Sequence, residues 1–188
     1  PDEARKALQG WVDRGGMLIR FAGPKLAGAQ DDDLVPVTLR RGGRSLGGTL
    51  TWGTPQPLTA FETNSPFNGI TVPSDVTITR QVLAEPSIDL ADKTWASLAD
   101  GTPLVTASKM GKGWIVLFHV TADASWSNLP LSGAFVDMLR KIVSVEQRGL
   151  VTSSDASNAS SEDAKVLPPL RVLDAPGRFT DAGNDVQP

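Results

Sequence analysis

The chain has 188 residues, 40% of them hydrophobic, and a formal net charge of −3. That suffices for one domain's core with room for a tail, and it offers no basic field for nucleic acid or an anionic membrane surface. With no cysteine and a single histidine, His119, disulfides, thiolate catalysis and cysteine- or histidine-cluster metal sites are excluded, and no cofactor is expected.

The sequence opens at Pro1 and runs directly into helical pattern, so it reads as a piece of a larger protein. Residues 2–14 carry Ala4, Ala7, Leu8, Trp11 and Val12 at helical spacing, with Asp2 and Glu3 at the start and Gly15-Gly16 at the stop. Met17 to Ala22 is a short, nearly continuous apolar run, the pattern of a strand buried on both faces in a parallel sheet. Residues 23–48 read as loop. Within them Asp31-Asp32-Asp33 and the patch Arg40, Arg41 and Arg44 read as solvated charge rather than a metal or anion site.

From Gly48 to Leu83 the chain turns β-rich. Thr49 to Trp52 is one strand. Val76 to Leu83 is another, with Val76, Ile78 and Val82 facing inward and Thr77, Thr79 and Gln81 on a wet face. Ala91 to Leu98 reads as a short helix around Trp95. Pro103 to Ser108 and Trp114 to Val120 are two apolar arms joined by Lys109-Met110-Gly111-Lys112-Gly113, a β-hairpin with a glycine turn. Gly111-Lys112-Gly113 lacks the full spacing of a phosphate-binding loop. Ser132 caps a helix whose core face is predicted as Phe135, Val136, Met138, Leu139, Ile142 and Val143. Residues 152–163 are almost entirely Ser, Asp, Ala, Asn and Glu, the composition of a linker. An extended strip, 166–173, follows it. The expected division is an α/β domain over 1–148, truncated at its N-terminus, and a polar linker and tail over 149–188.

Ile19-Arg20-Phe21-Ala22-Gly23 and Phe118-His119-Val120-Thr121 resemble two stretches of the class I glutamine amidotransferase-like fold. There a strand ends in Gly-Ile-Cys-x-Gly-x-Gln and a later one in Phe-His-Pro-Glu. The resemblance implies a mainly parallel, flavodoxin-like sheet flanked by helices, with a β-rich insertion and a C-terminal β-hairpin. It puts Phe21 at the nucleophile position and Thr121 at the glutamate position, so glutamine hydrolysis by that mechanism is lost and only His119 of the triad remains. Gly101 to Thr106, Gly111 to Gly113, Phe118 to Thr121 and Trp126 to Val136 together resemble one group of bacterial membrane proteins with a BatA-like double-transmembrane N-terminus. That implies a membrane-anchored parent, with this domain outside the cytoplasm and other domains or envelope proteins as partners.

The expected function is a non-catalytic module that binds a ligand or a neighbouring domain near His119, Asp123 and Trp126. Two alternatives stand beside it. One is a hydrolase using His119 with Ser125 and Asp123, since a triad is set by geometry rather than order. The other is a carbohydrate-binding module using Trp52, Trp114 and Trp126.

Overall fold

The computed structural model describes residues 2–29, 32–40, 49–151, 171–173 and 179–181. The chain divides into two units at Val151/Thr152.

In the first unit, helix α1 spans Asp2–Asp13. It closes in a Schellman motif: Gly15 N–H bonds the Val12 carbonyl at 2.8 Å and Gly16 N–H the Trp11 carbonyl at 3.1 Å. Gly15 sits at φ 120°, where a side chain would be strained. Strand β1 (Met17–Phe21) leads into a one-turn helix, α2 (Pro24–Gly28). Strands β2 (Thr49–Pro57) and β3 (Thr77–Val82) form a separate antiparallel ribbon, its register shifted between Thr51 and Gln56. The short helix α3 (Leu90–Lys93) runs straight into β4 (Thr94–Ser97). Next come β5 (Pro103–Met110), β6 (Gly113–Phe118), a 3-10 turn at Leu129–Leu131 and helix α4 (Gly133–Val151).

The main sheet has the order β1-β6-β5-β4. Only β1 and β6 pair in parallel, Met17 opposite Trp114 through Phe21 opposite Phe118. The β5–β6 and β4–β5 pairs are antiparallel. This corrects the expectation of a mainly parallel sheet flanked by helices. Each parallel pair needs a crossover, and the described residues make one such pair, with much of 22–112 given to the ribbon, irregular loops and the antiparallel strands.

β1 lies at an edge of this sheet, half-buried throughout, instead of covered on both faces. Part of its cover is the segment after α2, where Leu34 and Val37 are buried. Arg20 ties that segment down. Its guanidinium grips both carboxylate oxygens of Asp32 at 2.7 Å and donates to the Leu34 carbonyl at 2.7 Å. Asp33 pairs with Arg5 at 2.8 Å. Asp31, Arg41 and Arg44 lie outside the described residues.

The centre of the core is the β5–β6 hairpin, with Leu104, Val105, Ile115, Val116, Leu117 and Phe118 fully buried. Its turn brings Met110 opposite Gly113, with Gly111 at φ 57°. The end of α1 docks on this turn. Lys112 N–H bonds Asp13 O at 3.0 Å and Trp114 N–H bonds Gly16 O at 3.1 Å. A side chain at Gly113 would overlap the carbonyl oxygens of Gly16 and Val12.

Three local expectations change. Gln81 is fully buried rather than on a wet face, because the ribbon is covered on both sides there. The stretch Ala91 to Leu98 is half helix and half strand. On α4 the buried stripe is Ala134, Met138 and Ile142, while Val136 and Val143 are 45% and 48% exposed. Ser132 does cap the helix: its hydroxyl accepts the Phe135 N–H at 3.3 Å and donates to the Leu129 carbonyl at 2.7 Å.

The second unit shows a small antiparallel ribbon, β7 (Arg171–Leu173) with β8 (Phe179–Asp181). The expected linker, 152–163, lies outside the described residues, as does 166–170 of the extended strip.

Candidate functional site

The parallel pair β1–β6 sets the geometry. Ala22 N–H bonds Phe118 O at 2.8 Å, so the two strands end side by side. A Cβ at Gly23 would lie 3.8 Å from Thr121 Cγ2. Thus Phe21 and Gly23 of one strand end lie beside Phe118 and Thr121 of the other.

The position that the resemblance assigns to a nucleophile, Phe21, carries an apolar ring. The Phe21 ring stacks on Phe118 with centroids 5.0 Å apart and touches Phe135 at 6.0 Å; Phe118 and Phe135 meet edge-on at 5.7 Å. Phe21 is part of the packing between sheet and α4. Outside it opens a hollow of about 630 Å³, lined by Arg20, Phe21, Pro24, Lys25, Leu26 and Ala29 among others. Arg20 is committed to Asp32, and Lys25 makes no ion pair among the described residues.

His119 is fully buried. Its Nδ1–H donates to the Val82 carbonyl at 2.7 Å, which fixes the tautomer and leaves Nε2 to accept the Thr106 hydroxyl at 3.0 Å. Its backbone bonds Leu104 through N–H at 2.8 Å and Val82 through C=O at 2.9 Å. Burial pushes its pKa down to about 4, opposed by the Val82 bond, so it is neutral at pH 7. Both ring nitrogens serve to join β5, β6 and the β2–β3 ribbon.

Asp123 and Ser125 lie on the exposed loop after His119. The Asp123 carboxylate accepts the Thr121 hydroxyl at 2.9 Å, the Ser125 N–H at 2.8 Å and the Ser125 hydroxyl in a short bond. Those bonds, the Ser125 hydroxyl first, hold its pKa below the usual carboxylate range. The structure therefore joins Asp123 with Ser125 but does not bring His119 to them. The Ser125 proton goes to a carboxylate, with no imidazole to take it up as a triad requires.

Trp126 is 4% exposed. Its carbonyl accepts the Thr79 N–H and hydroxyl, both at 2.8 Å, and its ring carries the Arg80 guanidinium at 5.9 Å. Asn128 completes the clamp: its side chain accepts the Thr77 N–H at 2.7 Å and donates to Asp75 O at 2.7 Å. The distinctive stretch from Trp126 onward is thus a splint along β3. Trp114 packs on Trp95 at 5.4 Å with Lys109 over its face, and Trp52 is half-buried. Sequence reasoning missed Thr106, the partner of His119. The signal was a threonine between the apolar residues Leu104-Val105 and Ala107, whose cross-strand neighbour Leu117 lies two residues before the histidine.

No family model and no curated protein matches the chain. Two solved structures are similar in fold. Cytoplasmic protein STM3548 from Salmonella typhimurium superposes with a TM-score of 0.60 at 14% identity, over 76% of this chain and 59% of that one. Cytoplasmic protein STM1381 from Salmonella typhimurium LT2 gives 0.51 at 14% identity, over 80% and 60%. The chain thus spans about three-fifths of the length of each. Their description as cytoplasmic proteins overturns the expectation of a membrane-anchored parent with this domain outside the cytoplasm. No helix among the described residues is long and apolar enough to cross a membrane.

Proposed function

We propose that this chain is a non-catalytic, amidotransferase-like module that works by binding a ligand or a protein segment at the β1–β6 strand ends. The observation that carries this is the stack of Phe21 on Phe118 and Phe135, which puts a packed aromatic group where the resemblance calls for a nucleophile. The burial and neutrality of His119 support it further, since a base walled off from solvent cannot exchange protons with a substrate. The contact surface is the hollow beside Phe21 and Lys25 together with the Thr121–Ser125 loop. Lys25 supplies one positive charge and Asp123 one negative charge. The cytoplasmic description of the two fold neighbours supports a cytoplasmic setting.

The test is amide NMR mapping with a library of small fragments and short peptides. Hits are expected to move the amides of Gly23, Lys25 and 121–125. Glutamine turnover by the same sample, or hits that consistently avoid both segments, would defeat the reading.

A further inference from the structure

A second cleft, of about 610 Å³, opens along β4 and shares no lining residue with the hollow at Phe21. Its volume is in the range of small-molecule sites, roughly 300–1,000 Å³. Two rings of its wall, Phe61 and Trp95, belong to a file of packed rings. Phe61 meets Phe67 at 5.4 Å, Phe67 meets Trp95 at 5.9 Å, and Trp95 meets Trp114 at 5.4 Å. Trp95 is held nearly buried by these neighbours, while Phe61 stays half-buried at the rim.

The polar groups of this cleft are mostly one-sided; of its five hydroxyls, that of Ser97 alone is uncommitted among the described residues. The hydroxyls of Thr59, Ser65 and Thr94 donate to the carbonyls of Ser97, Trp95 and Leu90, and Ser87 donates to the Asp89 carboxylate. With those protons committed inside the fold, these hydroxyls have only acceptor capacity left for a ligand. Glu62 adds a carboxylate whose oxygens make no hydrogen bond or ion pair among the described residues. Asp92 and Asp100 are the chain neighbours of the lining residues Ala91 and Ala99. The cation beside them, Lys93, is tied to Asp89 at 2.6 Å. An acceptor-rich cleft with a free carboxylate and an aromatic wall is complementary to positive charge and to N–H donors.

From this cleft we infer a site for a small organic cation, an amine or guanidine on an apolar or aromatic body. The cation lies at Glu62 and the face of Phe61, and the body lies along Trp95. This site is separate from the one at the β1–β6 strand ends and does not depend on it.

Amide NMR titration of the full chain with benzylammonium tests it, using phenylacetate and benzyl alcohol as charge-reversed and neutral counterparts. Benzylammonium is expected to shift the amides of Glu62, Trp95 and Ser97 and the Trp95 indole N–H saturably, and to bind tighter than either counterpart. Glu62→Gln, at an exposed and unpaired position, is expected to keep the native spectrum and weaken benzylammonium about fivefold, the effect of one exposed charge pair. Phe61→Ala is expected to weaken it as well. Glu85→Gln, outside the lining, should leave binding unchanged. Absence of a saturable shift at millimolar benzylammonium, equal binding of phenylacetate, or undiminished affinity in Glu62→Gln would overturn the inference.

Discussion

His119 illustrates how a residue of catalytic type becomes structural through its surroundings. In the unfolded chain it titrates near 6.5, in the fold near 4. A depressed pKa means the unfolded state binds the proton first, so this histidine's contribution is present above pH 6.5 and is lost as pH falls towards 4. The expected loss is about 3 kcal/mol over that interval. Urea unfolding at pH 7.5 and 4.5 measures it. His119→Gln should be less stable at pH 7.5 but lose less between the two values; parallel losses would refute the assignment. Asp32, Asp89 and Asp123 also have lowered pKa values, but these titrate below the histidine's window. Gln81 makes a contrasting case. It is fully buried and neither end of its amide has a partner among the described residues. Removing a buried unsatisfied group without leaving a hole is favourable, so Gln81→Met should raise stability by about 1 kcal/mol in the same assay. A loss of that size would show that the amide is satisfied by something such as a buried water.

Between elements, the decisive contact is the end of α1 against the β5–β6 turn. Gly113→Ala drives a methyl group into two backbone carbonyls, and backbone cannot swing away. Gly16→Ala first meets the ring of Trp11, a residue 45% exposed. Thermal unfolding should therefore show Gly113→Ala destabilised by about 3 kcal/mol and Gly16→Ala by clearly less; the reverse order would contradict this docking. These elements also show how far the sequence could be read. Helix α1, the β5–β6 hairpin and the Ser132 cap follow from local chemistry: spacing, a glycine turn and a hydroxyl before an apolar helix. Strand order does not. Met17 to Phe21 is apolar enough for a central strand, yet it sits at an edge because α1 and the Asp32–Val37 segment, not a further strand, supply its cover. The site was legible only in part. That Phe21 lies opposite Phe118 follows from the parallel register of two strands far apart in sequence. The burial of His119 and Trp126 depends on Thr106, Val82, Thr79 and Arg80, residues distant in sequence that no local pattern connects to them.

On the scale of the whole molecule, the parallel β1–β6 pair ends in an apolar plug, a buried neutral imidazole and a loop whose acid is bound to its own neighbours. On the proposed reading these groups activate neither a water nor a nucleophile, and the open surface around them serves for contact. A direct measurement is NMR observation of carbon-13-labelled glutamine incubated with the purified chain at neutral pH. The account predicts that the glutamine signals persist, with no glutamate or ammonia formed beyond the buffer control. Glutamate accumulating at a rate that falls in Asp123→Ala, an exposed substitution that leaves the core intact, would contradict it.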